Sequence, residues 1–185
     1  EVVFPDVEDS IWELDDKTGE WFLHHFYRTQ PDLNVANPAV QEEIGLFGSR
    51  TAAFTVQPDI AVAVDVTHAT DAPGIDEKEV GSHPFGSGPV IGRGSTLSPR
   101  VYELLVAAAK GAGIDYSVGA SGNATHTDAD SLQISRTGIP TGLVSIPLRY
   151  MHSPVELVDL RDVEATIGLL VAFATALTGE EDLSR

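Results

Sequence analysis

Residues 61–66 constrain the fold of this chain more than any other stretch. Their sequence is Ala-Val-Ala-Val-Asp-Val, in which the charged residue, Asp65, comes after four apolar ones. Nearly every position could be buried, and such apolar runs are typical of central strands in α/β sheets that are covered on both faces. The segment therefore predicts an interior strand with helices packed above and below it.

Helix and strand patterns alternate through the rest of the chain. Ser98 followed by Pro99 predicts a helix start, since Pro fits the first turn of a helix. Gly111 and Gly113 predict the end of that helix. Further strands are predicted at 114–118 and 139–146, and shorter helical segments at 49–54 and near 128–136.

The last predicted helix begins at Asp159 or Arg161 and ends near Leu177. Its apolar spacing predicts five inward-facing residues: Val163, Ile167, Leu170, Val171 and Ala174. Together with the preceding strands, this helix predicts a three-layer α/β sheet covered by helices.

Residues 68–96 are rich in loops and contain several glycines between Gly81 and Gly94. Glycine lets the backbone approach a ligand or another strand closely. A set of turns with an edge strand is an equally good interpretation of this segment.

The first 39 residues differ in character from the rest, because they combine acidic and aromatic side chains and include both tryptophans. A turn signal at 15–19 lies between two aromatic runs and predicts a β-hairpin. Two prolines at 29–38 predict an extended loop. We therefore divide the chain into an irregular, aromatic-rich segment at 1–39, a domain at 40–178 and an acidic tail at 179–185.

The composition excludes several classes of partner. A formal net charge of −17 argues against binding to nucleic acid or to anionic membranes. The absence of cysteine excludes disulfides and thiol catalysis. The sequence shows neither a leader peptide nor an apolar run long enough to span a bilayer, so we expect a cytoplasmic protein.

Two adjacent carboxylates, Glu42 and Glu43, stand before the small-residue turn at 44–48. Neighbouring side chains of an extended segment point to opposite faces, so one carboxylate can bind a metal while the other acts as a general base. Downstream, Asp65 ends a strand pattern and His152 lies in a loop. Glu, Asp and His are the ligands of hydrolytic metal sites. A solvated Glu pair, a turn-capping Asp and a loop His are the alternatives.

Four segments carry a resemblance to a known family. They are residues 40–46 (Val-Gln-Glu-Glu-Ile-Gly-Leu), 63–66 (Ala-Val-Asp-Val), 127–129 (Thr-Asp-Ala) and 146–156 (Ile-Pro-Leu-Arg-Tyr-Met-His-Ser-Pro-Val-Glu). From residue 40 onward the chain resembles the tetrahedral, or glutamyl-type, aminopeptidases, which are two-metal peptidases. The resemblance implies a zinc-peptidase-like fold and a metal-dependent aminopeptidase that releases N-terminal residues from peptides.

The resemblance also assigns roles to individual residues. It implies that Glu42 is the catalytic base, that Glu43 and His152 bind one metal, and that Asp65 binds the other. Two divalent ions, zinc or cobalt, a peptide substrate and a homo-oligomeric assembly are implied in the same way.

The N-terminal segment departs from that family. Residues 30–34 (Gln-Pro-Asp-Leu-Asn), Phe4-Pro5-Asp6 and Trp12 resemble the α-amylase superfamily, in particular trehalose synthases and α-glucosidases. The carboxylate pair of those glycosidases is absent, and so is the part of the aminopeptidases that supplies one His and a bridging Asp. Three of five expected ligands remain, which allows an inactive enzyme. The alternatives are a fragment related to trehalose synthase or α-glucosidase, and a non-catalytic assembly subunit.

Overall fold

The two tryptophans lie in a short β-hairpin near the N-terminus. The computed structural model of the protein describes residues 12–17, 20–23, 46–153 and 155–183. The chain divides into two units, Glu1–Phe47 and Gly48–Arg185. In the first unit, β1 (Trp12–Asp15) pairs antiparallel with β2 (Glu20–Leu23), and Asp15 lies opposite Glu20. The hairpin predicted from the turn signal is confirmed.

The second unit alternates helices and strands as predicted. The first helix begins one residue before the boundary between the units. The described elements are α1 (Phe47–Val56), β3 (Ala61–His68), α2 (Glu77–Val80), β4 (Val90–Gly94), α3 (Pro99–Ala112), β5 (Ser117–Ser121), α4 (Ala129–Leu132), β6 (Thr141–Arg149), β7 (Leu157–Val158) and α5 (Leu160–Ala176). Compared with the predictions, β5 and β6 begin and end a few residues later, and α4 is much shorter than 128–136.

These strands form a mixed sheet in the order β3-β6-β4-β5, and β7 pairs with the end of β6. β3 runs parallel to β6, β4 runs parallel to β5, and β4 is antiparallel to β6. Because β3 and β6 are parallel, their carboxyl ends meet at the same edge of the sheet. The predicted sheet flanked by helices is confirmed in this form.

The position of β3 differs from its prediction, and the position of β4 decides between two interpretations of its glycines. β3 is the outermost described strand on its side, and Val64 and Val66 on it are 50% and 37% exposed. The prediction of a central strand is therefore wrong for the sheet as described. The glycine-rich β4 lies inside the sheet, where a Cβ at Gly92 would come within 2.9 Å of the Leu143 Cβ. Close backbone approach, and not an edge position, explains its small residues.

The α3 helix has the ends that its sequence predicts. The Ser98 hydroxyl accepts a hydrogen bond from the Val101 amide at 3.4 Å, and Pro99 is the first helical residue. Gly113 ends the helix in the left-handed conformation, with a φ of 66°. Gly111 lies within the helix and does not end it.

One face of the sheet is covered by α3 and α5. Their shared core contains Ile91, Val144 and Leu105, together with two residues of α5, Leu169 and Phe173. The buried residues of α5 are Asp162, Thr166, Leu169 and Phe173, whereas the predicted inward residues Ile167 and Val171 are 58% and 60% exposed. The predicted inward face is therefore wrong at Ile167 and Val171, although Leu170 packs against this core. Two of the buried positions are polar and do not contribute to an apolar pattern.

The other face carries a second, smaller core of Ala63, Leu97, Ala129 and Leu143. Here α4 packs on the sheet, and the hydroxyls of Ser49 in α1 and Ser131 in α4 lie 2.8 Å apart. The described sheet therefore has helices on both faces.

The loop before β4 is held by a buried carboxylate of α5. Asp162 is 1% exposed and accepts hydrogen bonds from the amides of Gly86 at 2.9 Å and Gly88 at 2.8 Å. This anchor fixes the segment that leads from His83 into the sheet.

No helix among the described residues is long and apolar enough to cross a membrane.

Candidate functional site

Asp65 is the fifth residue of β3 and lies opposite Ser145 of β6. Side chains alternate between the two faces of a strand, so Asp65 shares a face with Ala63 of the smaller core and with Thr67. It is half-buried, and its Oδ1 atom accepts a hydrogen bond from the Val66 amide at 2.7 Å. The carboxylate thus lies close to the carboxyl end of an outer strand.

His152 lies in the loop that joins β6 to β7, three residues after β6 ends. Its side chain is exposed, and its backbone has a φ of 63°. The loop is braced by two hydrogen bonds, from the His152 amide to Glu156 Oε1 at 2.6 Å and from the Ser153 amide to the Tyr150 carbonyl at 3.1 Å. The left-handed backbone of this tight loop is held by side-chain and backbone contacts.

The segments that follow β3 and β6 meet at one edge of the sheet. Arg149, the last residue of β6, donates a hydrogen bond from Nε to Asp71 Oδ1 at 3.2 Å. Asp65 and His152 therefore belong to segments that end at the same edge, which is where ligands bind in many α/β proteins.

The proposed base Glu42 and ligand Glu43 lie outside the described residues. Within the described ranges, no group of three or more His, Asp or Glu side chains is arranged to hold a metal ion. Asp65 and His152 have side chains of the types that bind divalent metal ions. Their assembly with Glu43 stays a prediction.

A cavity of about 180 Å³ opens on the same face of the sheet as Asp65. It is walled by strand residues and by the segments at 79–83 and 125–127; its polar lining includes Thr67, Glu79, His83, Ser121, Thr125 and Ser145. Ser145 is the register partner of Asp65, so the cavity directly adjoins the predicted ligand.

His83 forms the inner wall of this cavity and is 2% exposed. Its Nε2 atom lies 2.8 Å from the Val80 carbonyl oxygen, and its Nδ1 atom lies 2.7 Å from Ser117 Oγ. Since a carbonyl can only accept, Nε2 donates to Val80, and Nδ1 forms its hydrogen bond with the Ser117 hydroxyl. Sequence reasoning missed His83 because its partner Ser117 is distant along the chain and no motif marks either residue.

Residues 12–169 match the sequence pattern of the M42 glutamyl aminopeptidase family. The chain belongs to this family. A lysyl aminopeptidase from Pyrococcus furiosus is 43% identical over 139 residues, which are 75% of this chain and 39% of that protein.

Solved structures of aminopeptidases have the same fold. An aminopeptidase from the archaeon Desulfurococcus kamchatkensis, 39% identical, superposes with a TM-score of 0.68 over 76% of this chain and 40% of its own. The TET1 peptidase of Pyrococcus horikoshii, which assembles into a tetrahedron or a large octahedral shell, is 28% identical with a TM-score of 0.56 over 74% of this chain and 39% of its own. The M42 chain described here thus spans about two fifths of the length of these relatives.

The resemblance to glycosidases rests on short partial matches. An oligo-1,6-glucosidase from Parageobacillus thermoglucosidasius is 54% identical over 35 residues, which are 19% of this chain and 6% of that enzyme. A trehalose synthase/amylase from Mycobacterium tuberculosis is 46% identical over 41 residues, or 22% of this chain. Each match covers less than a tenth of the glycosidase.

Proposed function

We propose that this chain is the metal-binding part of an aminopeptidase that releases N-terminal residues from peptides. The observation that carries the proposal is the match of residues 12–169 to the M42 family. The parallel pairing of β3 and β6 supports it, because it brings the segments of Asp65 and His152 to one edge of the sheet.

In this proposal, Glu43, Asp65 and His152 hold divalent metal ions, and Glu42 stays outside the ligand set. Bound metal would supply a water of lowered pKa and would polarise the peptide carbonyl. Glu42 takes the proton from the attacking water and delivers it to the leaving amine. Arg149 and Asp71 position the strand ends from which the ligand-bearing segments emerge.

A non-catalytic assembly subunit is the second candidate, because a relative of known structure, the TET1 peptidase, can assemble into a tetrahedron or a large octahedral shell. A chain with the same fold could retain the surfaces for such an assembly.

Metal analysis and a hydrolysis assay on the same purified variants test the proposal. Glu42→Gln should abolish hydrolysis of aminoacyl-anilide substrates and leave the metal content nearly unchanged. Glu43→Ala, Asp65→Ala and His152→Ala should each lower the metal content. His126→Ala is the matched control, since His126 is exposed and has no role in the proposal.

The two candidates give different results. Metal binding that depends on these ligands without any hydrolysis would favour the assembly subunit, and light scattering would then show particles much larger than one chain. Metal content that is the same in the wild type and in all three ligand variants would refute the proposed site.

A further inference from the structure

We propose that a cavity beside the start of α3 binds a small carboxylate, and that Arg93 recognises its charge. This cavity, called the α3 cavity below, has a volume of about 200 Å³ and is lined by Arg93, Gly94, Leu97, Ser98, Pro99 and Tyr102. None of the proposed metal ligands lines it. The proposal therefore adds a separate binding site and does not depend on the proposed aminopeptidase activity.

The α3 cavity lies at the edge of the sheet opposite to the candidate metal site. The parallel strands β4 and β5 end at this edge with Gly94 and Ser121, and the antiparallel β6 begins there at Thr141. The Ser98 amide donates to the Thr141 carbonyl at 2.8 Å, which attaches the start of α3 to the same edge. The candidate metal site belongs to the other edge, where β3 and β6 end. Ligands of many α/β proteins bind where parallel strands end.

Arg93 brings to the cavity a guanidinium that no carboxylate pairs with among the described residues. Three other arginines, Arg100, Arg149 and Arg161, each pair with an acidic side chain. The Cζ atom of Arg93 lies instead 5.5 Å from the centroid of the Tyr102 ring. This cation–π contact uses the flat face of the guanidinium. Its N–H groups lie in the plane of the group and stay available to an acceptor.

The sequence around the α3 cavity is poor in acidic residues. Residues 80–102 contain two arginines and no Asp or Glu, although the chain has 28 acidic residues among 185. The segment at 116–127, which contains the neighbouring strand β5, has no acidic residue either. Glu103, the acidic residue of α3, lies 3.1 Å from the Arg100 guanidinium and is thereby paired. These charges favour an anion as the occupant.

The backbone at the start of α3 offers few further donors to an anion. The amides of Leu97 and Ser98 donate to backbone carbonyls. The Val101 amide donates to the Ser98 hydroxyl at 3.4 Å, and Pro99 has no amide hydrogen. The end of the helix therefore does not form the site by itself, and recognition of charge falls to Arg93.

A single guanidinium in mostly apolar surroundings suits a carboxylate better than a phosphate. Arg binds the two oxygens of a carboxylate through two parallel N–H···O bonds, whereas a phosphate group has three strong acceptor oxygens to satisfy. Leu97, Pro99 and the Tyr102 ring offer apolar surface to the rest of the ligand. Drug-sized ligands occupy about 300–1,000 Å³. A cavity of about 200 Å³ thus fits a monocarboxylate with a compact apolar body.

Equilibrium binding of benzoate to the purified full chain tests the proposal without any hydrolysis. Benzoate has one carboxylate on a compact apolar ring, and benzamide has nearly the same shape without the charge. We expect benzoate to bind at least about tenfold more tightly at low ionic strength, because it adds charge-assisted hydrogen bonds to Arg93. Amide chemical shifts recorded during the titration should change mainly at residues 93–102.

Three variants assign the binding to Arg93. Arg93→Gln should remove most of the preference for benzoate and leave benzamide binding unchanged. Arg93→Lys keeps the charge and loses the planar pair of donors, so it should recover only part of the preference. Arg100→Gln is the matched control, since Arg100 carries the same charge close by, pairs with Glu103 and does not line the cavity. It should leave both affinities nearly unchanged.

Several outcomes would overturn the proposal. Equal affinities of the wild type for benzoate and benzamide would exclude recognition of charge. Equal losses in Arg93→Gln and Arg100→Gln would show a general electrostatic effect and no local site. Tighter binding of inorganic phosphate than of benzoate would refute the choice of a carboxylate. Shifts centred on residues 65 and 152 would place benzoate at the candidate metal site and would refute the α3 cavity. Arg93 is exposed, and circular dichroism would verify that its variants are folded.

Discussion

Arg149 at the end of β6 forms an ion pair with Asp71, which follows β3. Its guanidinium also lies over the Phe85 ring, 4.4 Å from the ring centroid. The hydrogen bonds from Arg149 hold the pKa of the Asp71 carboxyl below its usual range. The pair therefore locks together the ends of the two parallel strands that carry the proposed metal ligands.

Removing this pair should loosen the edge of the sheet. Arg149→Met should lower the free energy of unfolding, because both side chains of the pair are about two-thirds covered. Urea titration measures the change. Arg161→Met is the control: Arg161 also pairs with an aspartate, Asp159, but is 77% exposed, so its loss should cost less. An equal cost for both variants would contradict the argument.

The Asp71 pair also predicts a dependence of stability on pH. Because the pKa of Asp71 is lowered by Arg149 in the folded state, its stabilising effect is fully present above the unfolded pKa of about 3.9. It is lost as the pH falls through the lower folded pKa. The free energy of unfolding should therefore fall less steeply below pH 4 in Asp71→Asn than in the wild type, and acid titration measures this difference. Parallel curves for the two proteins would argue against the pair.

Among the carboxylates of the described core, Asp162 should cause the largest loss of stability when it is replaced. Asp162→Ala removes the acceptor of two amide hydrogen bonds at a site that is 1% exposed, so we expect a loss of about 3 kcal/mol in unfolding free energy. Asp128→Ala serves as the control, since Asp128 is exposed and makes no side-chain cap bond at α4. The control should change stability by less than about 0.5 kcal/mol. Similar melting temperatures for both variants would refute the anchoring role of Asp162.

Two glycines should respond to alanine in opposite directions. Gly88 has a φ of 84°, and a Cβ there would lie 2.0 Å from the Asp115 carbonyl oxygen, so Gly88→Ala should prevent native folding. Gly111 lies inside α3, and an added Cβ meets nothing within 4 Å. Gly111→Ala should raise the free energy of unfolding by about 0.5–1 kcal/mol, because alanine restricts the unfolded chain. Thermal melts of the two variants provide the comparison.

Local signals in the sequence were sufficient to predict elements whose ends depend on neighbouring residues. The helix start at Ser98 and Pro99, the helix end at Gly113 and the N-terminal hairpin were predicted because each depends on contacts within a few positions. The order of strands depends on contacts across the sheet, which periodicity does not encode. For this reason the apolar run of β3 predicts a central strand, which is wrong. The glycines of β4 do not decide between an edge position and an interior one.

The candidate site likewise combines residues that short motifs mark and residues that only folding brings together. The family resemblance assigns ligand roles to Asp65 and His152 through short motifs, and these roles stay predictions. The structure shows the parallel strands that bring their segments to one edge. The cavity depends instead on residues from distant segments, such as His83 and Ser117, which make contact only after folding. No spacing rule joins those positions, so the cavity was not predictable from the sequence.

The outer position of β3 has a consequence for how the chain behaves in solution. Among the described residues, no strand pairs with the outer side of this eight-residue strand, and an unpaired strand edge can template the stacking of further chains. A charge of −17 per chain opposes that stacking through mutual repulsion. The repulsion reaches about 10 Å at 0.1 M salt and about 3 Å at 1 M. We therefore expect electrostatic repulsion to keep the chain dispersed in dilute neutral buffer, and we expect the chain to precipitate as salt or acid removes that repulsion.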